Sequence, residues 1–147
     1  MRIHVLNGVN LDILGRRDPG LYGGLSIAEL ESRIYGWARE LELIVSCRQT
    51  NSESEYVHWC HDAYETVDGL VVNPAAWTHY AWAIRDALEI TAVPALEIHL
   101  SDPLAREPWR HVSVIGELCF ASVRGLGPDG YRRGLELMRE HLEEAGA

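Results

Sequence analysis

The stretch IHVLNGVNLDILGRRDPGLYGGLSIAEL, residues 3–30, contains a strand, a long loop and the start of a helix. The apolar residues 3–6 predict a short buried strand that ends at Asn7. Ser26 followed by Glu29 is typical of a capping box, in which the serine begins a helix. The loop between them is much longer than the roughly 2–6 residues that usually join a strand to a helix in α/β proteins, and this length favours a functional role.

Three side chains of this loop form a chemically suggestive set. Arg16 and Arg17 are adjacent, and Tyr22 follows shortly after them. A cation beside a phenol favours the phenolate, and a phenolate can remove a proton from a substrate. The alternative is an ordinary surface loop with solvated arginines, and the loop by itself does not decide between the two.

The rest of the chain alternates apolar strands with helices. After the first strand, the pattern predicts strands at residues 43–48, 69–73, 94–100 and 119–123. It predicts helices at residues 26–41, 52–64, from a cap at Thr78 onward, and at 128–144. Continuous apolar strands separated by helices indicate a parallel sheet covered on both faces. We therefore predict a flavodoxin-like α/β fold, with a five-stranded parallel sheet in the order 2-1-3-4-5, in a single domain over residues 1–147.

Composition narrows the possible partners. The net charge of −9 argues against nonspecific binding to nucleic acid or to an anionic membrane. No apolar run approaches the roughly 20 residues of a membrane span, and a signal-peptide pattern is absent from residues 1–30. The cysteines, Cys47, Cys60 and Cys119, have no CxxC spacing, which favours a reducing cytoplasm. We expect a cytoplasmic protein that binds a small molecule.

The carboxyl ends of the predicted strands should meet. Parallel sheets of this class bind ligands at that edge, near the topological switch point. The first strand is followed by the loop described above, the third ends in NPAAWTH at residues 73–79, and the fourth ends in Glu97-Ile-His99 and is followed by DPLAREPWR at residues 102–110. One edge would therefore collect amides, histidines, arginines and a tyrosine.

Glu97 and His99 are two positions apart on a predicted strand, so their side chains share a face. A carboxylate beside an imidazole fixes its tautomer and favours the protonated ring, as a general acid requires. Taken alone, a structural hydrogen bond explains such a pair better. Convergence with the other loops favours a catalytic role.

Five segments, in this order and spacing, resemble one enzyme family. They are LNGVNLDILGRRDPGLYG, QTNSESEYVHW, NPAAWTHYAWAIRDAL, EIHLSDPLAREPWR and GLGPDGY. Over about residues 2–141 the chain is similar to the type II 3-dehydroquinate dehydratases of the shikimate pathway. The resemblance implies anti elimination of water from 3-dehydroquinate to give 3-dehydroshikimate, with no metal and no other cofactor. The chain contains no lysine, which excludes a Schiff base through lysine.

The resemblance also implies roles for individual residues. Tyr22 matches the catalytic base, Arg17 the cation that stabilises its phenolate, and Asn10 the residue that holds a water against the enolate oxygen. His99 matches the general acid and Glu97 its partner. The matching substrate-binding positions are Asn73, His79, Asp86, Leu100 through its backbone, Ser101 and Arg110. The family assembles as dodecamers, tetramers of trimers, in which the acid at position 86 reaches a neighbouring active site.

Several positions depart from the family pattern. Val9 stands where proline is common, Ala75 and Ala76 replace glycines, and Tyr80 and Ala81 replace a Thr-Ser pair. A secondary-metabolism paralogue that dehydrates a related substrate, such as an amino analogue, is therefore an alternative. A noncatalytic flavodoxin-like binding module is another, although loss of Tyr22, Arg17 or His99 would then be expected.

Two other motifs have simpler explanations. Residues 125–130, GLGPDG, match G-x-G-x-x-G, but a dinucleotide site also needs an acidic residue at the end of a further strand, and none is predicted there. Pro128 also lacks an amide donor, so we predict a tight turn between strand and helix. His58, His61 and Asp62 lie on one predicted helix, where solvated polarity explains them better than a metal site.

Overall fold

The computed structural model describes residues 1–146 and contains one five-stranded sheet. The strands are β1 Arg2–Asn7, β2 Ile44–Gln49, β3 Gly69–Asn73, β4 Ala95–His99 and β5 Ala121–Arg124. All four neighbouring pairs are parallel, and the order is β2-β1-β3-β4-β5. The predicted flavodoxin-like topology is therefore confirmed.

Helices cover both faces of this sheet. They are α1 Pro19–Tyr22, α2 Ile27–Glu40, α3 Glu53–Ala63, α4 Trp82–Thr91 and α5 Asp129–Gly146. Short 3-10 helices occupy Leu11–Arg16, Ala75–His79, Pro103–Ala105, Pro108–Arg110 and Gly116–Leu118. Helices α2 and α5 pack on one face of the sheet, and α3 and α4 pack on the other. Strand residues alternate between the two cores, so the central strands are mostly apolar along their length.

Two predicted helix starts are confirmed and one is wrong. The hydroxyls of Ser26 and Ser52 accept hydrogen bonds from amides three residues later, at 3.1 and 3.2 Å, and begin α2 and α3. Helix α4 instead begins at Trp82, with Ala81 at its cap. Thr78 lies in the preceding 3-10 helix, and its hydroxyl donates to the buried Glu97 at 2.5 Å. The hydrogen bond to the carboxylate is the more stabilising use of this hydroxyl, because an unpaired buried carboxylate has a larger desolvation cost than an uncapped helix terminus.

One buried tyrosine joins the ends of the two central strands. The Tyr131 hydroxyl, on α5, donates to Asn7 Oδ1 at 2.6 Å and accepts from Asn73 Nδ2 at 2.8 Å. Asn7 and Asn73 are register partners at the ends of β1 and β3. Burial raises the pKa of the Tyr131 phenol well above its ordinary value, so the hydroxyl keeps its proton. These hydrogen bonds hold together the strand ends from which the long loop and the 3-10 helix begin.

The chain can leave β1 in this direction only because residue 8 is glycine. The Gly8 amide donates to the Asn73 carbonyl at 2.8 Å. A Cβ at Gly8 would lie 2.4 Å from the backbone oxygen of Pro74, closer than atoms can approach. The loop after β1 therefore crosses the end of β3 in direct backbone contact.

The glycines after β5 form the predicted tight turn. Gly125 and Gly127 have φ of 76° and 58°, which glycine adopts without steric cost. Their amides donate to the carbonyls of Ser101 and Leu100, each at 3.0 Å. Both amides are thus engaged within the protein, and the segment does not form a phosphate cradle. Among residues 1–146, no helix is both long enough and apolar enough to cross a membrane.

We predict that Tyr131→Phe lowers the free energy of unfolding by about 1–3 kcal/mol, because it removes a hydrogen bond from each of two buried asparagines. Urea denaturation followed by circular dichroism measures the change. Tyr64→Phe is the matched control, since Tyr64 is 58% exposed. A loss no larger than in the control would show that the buried hydroxyl does not stabilise the strand ends.

Candidate active site

A cleft of about 240 Å³ opens at the carboxyl ends of β1, β3 and β4, the edge that the sequence indicated. Nine of the eleven predicted site residues line it: Asn10, Arg17, Tyr22, Asn73, His79, His99, Leu100, Ser101 and Arg110. Glu97 lies behind His99, and Asp86 lies elsewhere on the surface.

Tyr22 is positioned by a one-turn helix. The Asp18 side chain caps α1 by accepting from the Gly20 amide at 2.9 Å, and Pro19 supplies the first helical residue. Gly23, with φ 86°, ends the helix directly after Tyr22. Upstream, the buried Leu11 and Leu14 anchor the long loop to the core. The loop is therefore held in one conformation by these caps and core contacts, and it brings Tyr22 to the cleft.

Two arginines donate to the Tyr22 oxygen. Arg17 Nη2 lies 2.5 Å from it and Arg106 Nη1 lies 2.7 Å from it. The guanidinium carbons also lie 4.2 and 5.4 Å from the ring centroid. Two cationic donors on one phenolic oxygen favour negative charge at that atom. Arg16, the other arginine of the pair, is exposed and does not line the cleft.

Arg106 received no role from the sequence alone. It lies in the loop after β4, 84 residues from Tyr22, and its Nη1 also donates to the Ser101 hydroxyl at 3.2 Å. The only available signal was a third arginine among the residues that follow a strand at the site edge. Its contact with Tyr22 depends on how two loops meet, which local pattern does not reveal.

His99 and Glu97 form the pair that the strand spacing predicted. His99 Nε2 lies 2.7 Å from Glu97 Oε1, and Glu97 is 2% exposed. Burial raises the pKa of the Glu97 carboxyl, but hydrogen bonds from His99, Thr78 and Ser113 outweigh it and leave that pKa below its usual value. Glu97 is therefore a carboxylate at neutral pH and accepts from the Nε2 proton. Within residues 1–146, Nδ1 of His99 has no hydrogen-bond partner and is free to act in the cleft.

His79, unlike His99, is held by a backbone carbonyl instead of a carboxylate. Its Nδ1 lies 2.7 Å from the Val112 carbonyl, which can only accept, so Nδ1 carries the proton. Burial lowers the pKa of His79, the Val112 hydrogen bond partly opposes this, and the charges of His99 and Arg110 lower it further. His79 is therefore neutral near pH 7, and Nε2 is a hydrogen-bond acceptor suited to a ligand hydroxyl.

Arg110 is prepared for an anionic group. Its Nε donates to Glu107 at 2.6 Å, and its guanidinium carbon lies 4.0 Å from the Trp109 ring centroid. These contacts fix the plane of the guanidinium while its two terminal nitrogens make no hydrogen bond within residues 1–146. A planar pair of donors matches a carboxylate.

The remaining predicted residues differ in how free they are. Asn73 is buried. Its Nδ2 donates to the Tyr131 hydroxyl, and its Oδ1 accepts from the backbone amide of Ala75 at 3.1 Å. Asn73 therefore mainly supports the turn that leads into the cleft wall. Asn10 has a φ of 67°, and its backbone amide donates to Asn51 Oδ1 at 2.8 Å. Ala75 has φ 56°, where glycine would be unstrained, and its methyl group belongs to the cleft wall.

Asp86 lies on the exposed face of α4 and does not line the cleft of its own chain. Trp82 and Ile90, one turn before and after it, are 63% and 70% exposed. Residues four apart share a helix face, so these three side chains form a stripe, which we call the α4 stripe. Two large apolar side chains are therefore exposed on the same helix face as Asp86.

Comparison with known proteins agrees with this geometry. The family described as "Dehydroquinase class II" matches residues 1–139. A 3-dehydroquinate dehydratase of Deinococcus radiodurans is 45% identical over 140 residues, covering 95% of this chain and 98% of the relative.

Solved structures show the same likeness. The type II dehydroquinase of Propionibacterium acnes superposes with a TM-score of 0.91 at 42% identity, covering 95% of this chain and 96% of that one. The enzyme of Butyrivibrio crossotus gives 0.91 at 36% identity, covering 94% and 97%. With the five-stranded order and the tyrosine, arginine and histidine cleft, these matches show that the chain belongs to the class II dehydroquinase family.

Proposed function

We propose that the protein is a 3-dehydroquinate dehydratase that removes water by anti elimination to give 3-dehydroshikimate. The observation that carries this proposal is the pairing of an arginine-bound tyrosine with a carboxylate-bound histidine in one cleft. The first has the character of a base and the second that of an acid, and an elimination of water needs one of each.

In the first step, Tyr22 acts as a phenolate and takes a proton from the carbon next to the ketone. The electron pair of that C–H bond forms an enolate. Arg17 and Arg106 stabilise the phenolate, because each donates a charged hydrogen bond to its oxygen. Asn10, on the cleft wall, holds a water against the enolate oxygen.

In the second step, His99 gives a proton to the departing hydroxyl. The enolate electrons return to form the ketone and the new carbon–carbon double bond, and the C–O bond breaks to release water. Glu97 stabilises the imidazolium before this transfer and holds the ring in one orientation. Protonated Tyr22 and neutral His99 then exchange protons with solvent to complete the cycle. These residues supply the acid and base without a cofactor.

Other residues of the cleft, apart from Tyr22 and His99, bind the substrate. Arg110 binds the carboxylate with its terminal nitrogens, and His79 accepts a hydrogen bond from a substrate hydroxyl. Ser101 and the Leu100 backbone supply further polar contacts at the end of β4. Asn73 keeps the adjoining turn in place through its contact with the Ala75 amide.

We also propose a closed homo-oligomer of trimers, a dodecamer, located in the cytoplasm. No acidic side chain lines the cleft of one chain within residues 1–146, and Asp86 lies on the exposed α4 stripe. The Asp86 carboxylate of a neighbouring subunit would therefore reach the cleft. The three cysteines, Cys47, Cys60 and Cys119, are free thiols, as a reducing compartment favours.

The function is tested by mixing the protein with 3-dehydroquinate and following the ultraviolet absorbance of the conjugated product. We predict turnover by the parent and a fall in kcat of at least about 10²–10⁴-fold for Tyr22→Phe, with KM little changed, because only the phenolic oxygen is lost. Tyr64→Phe, at an exposed tyrosine, should match the parent. A Tyr22→Phe enzyme within a few-fold of the parent would remove Tyr22 from the role of base.

A second prediction separates the two proton transfers. His99→Ala should lower product formation while exchange of the substrate proton next to the ketone with deuterium continues, because Tyr22 is intact. Proton NMR in deuterium oxide measures both. Full product formation by His99→Ala, or loss of exchange in a folded variant that still binds substrate, would contradict its assignment to the acid step.

A third prediction concerns assembly. If Asp86 acts across an interface, Tyr22→Phe and Asp86→Ala chains should each be impaired alone, yet recover activity when co-expressed, since some sites then combine an intact Tyr22 with an intact Asp86. Analytical ultracentrifugation should show a species much larger than a dimer, and Trp82→Glu should dissociate it. A fully active monomer, or failure of mixed oligomers to recover, would contradict a shared site.

A further inference from the structure

The Glu97 carboxylate receives three donors, and two of them are hydroxyls. His99 Nε2 and Thr78 Oγ1 lie 2.7 and 2.5 Å from Oε1. Ser113 Oγ lies 2.8 Å from Oε2 and 2.9 Å from Oε1. Because Oε1 already has two donors, the single Ser113 proton is best used on Oε2. Each carboxylate oxygen is therefore held by a hydroxyl in addition to the contact with His99.

The two hydroxyls come from separate segments that are hydrogen-bonded to each other. Thr78 lies in the 3-10 helix Ala75–His79, and Ser113 lies in the loop after Pro108–Arg110. The Val114 amide donates to the Thr78 carbonyl at 2.8 Å, which joins the two segments next to Glu97. The same segments carry His79 and Arg110, so the support of the acid is tied to the substrate-binding groups.

We propose that Thr78 and Ser113 are positioning residues for the acid step, whose hydroxyls keep Glu97 ionised and hold its Oε1 against His99. This inference rests on the proposed role of His99 as the general acid. Neither hydroxyl needs to touch the substrate. Their effect passes through Glu97, which orients the imidazole and stabilises its protonated form.

Thr78 is the more enclosed of the two. Thr78 is 1% exposed and Ser113 is exposed, and both line a cavity of about 30 Å³ beside Glu97. A cavity of that size can hold a water, which would restore a donor to Oε2 after loss of the Ser113 hydroxyl. Removal of the Thr78 hydroxyl takes the shortest hydroxyl donor from Oε1, which keeps His99 and the longer contact from Ser113 at 2.9 Å.

The charges around Glu97 agree with this account. The pKa of its carboxyl lies below the usual value although burial alone would raise it, and the opposing contributions come from His99, Thr78 and Ser113. The other titratable or charged groups that face the pair or its adjoining cavity are His79, Arg110, Tyr56, Cys119, His111 and Arg124. Neither hydroxyl titrates, so its removal changes the carboxyl without adding a new charge.

A pair of substitutions at Thr78 tests the inference. Thr78→Val keeps the shape and removes the hydroxyl, whereas Thr78→Ser keeps the hydroxyl and removes the methyl group. We expect Thr78→Val to lower kcat by about tenfold or more with a smaller change in KM, since a hydrogen bond to a charged group is lost. Thr78→Ser should retain most of the parent kcat. Thr91→Val is the control, because Thr91 is 3% exposed and its hydroxyl bonds the Cys60 carbonyl instead.

The pH dependence gives a second measurement. Glu97 acts as a carboxylate, so activity falls as pH decreases through its pKa, and loss of the Thr78 donor raises that pKa. The pH at which Glu97 loses its charge should therefore be higher in Thr78→Val than in the parent and unchanged in Thr78→Ser. An equal fall of kcat in both variants would assign the effect to packing of the methyl group and overturn the proposal, as would a Thr78→Val enzyme that matches the parent.

A measurement without turnover separates this inference from the proposed function. Carbon-13 NMR of the glutamate carboxyls, with Glu97 assigned by Glu97→Gln, reports its titration directly. The Glu97 midpoint should rise in Thr78→Val and not in Thr78→Ser or Thr91→Val. If the parent fails to dehydrate 3-dehydroquinate, the proposed function is wrong, while an unmoved midpoint in Thr78→Val overturns the role of the hydroxyl itself.

Discussion

The parallel direction of β1, β3 and β4 is the constraint on which the rest of the structure depends. Because every crossover returns the chain to the same end of the sheet, the segments that follow these strands meet at one edge. The register makes this contact close, since Asn7 and Asn73 are direct partners. One tyrosine of α5 can therefore bond both strand ends, and the long loop and the 3-10 helix begin side by side.

The site combines an acidic protein with a local concentration of positive charge. The whole chain has a net charge of −9, yet Arg17, Arg106 and Arg110 all line one cleft. Such a cluster attracts an anionic ligand and favours negative charge on groups beside it. Two of the arginines donate to the Tyr22 oxygen, and the third is held by Glu107 and Trp109.

Two buried groups at this edge, the Glu97 carboxylate and the Tyr131 hydroxyl, are hydrogen-bonded by partners from distant segments. Glu97 is bonded by residues 78, 99 and 113, and Tyr131 by residues 7 and 73. An ionised group that is buried without such partners would be costly, so each set of partners constrains the loops that supply it. The precision of the cleft therefore comes from satisfying the buried groups beneath it.

The sequence by itself determined the features that depend on local pattern. Apolar runs identified the five strands, Ser26 and Ser52 identified two helix starts, and spacing of two along a strand placed Glu97 beside His99. The tertiary structure decided what depends on distant segments meeting: Thr78 bonds Glu97, 19 residues away, instead of capping α4, and Arg106 reaches Tyr22 across 84 residues. Propensities and caps act within a few residues, whereas such hydrogen bonds form only after the sheet has brought its loops to one edge.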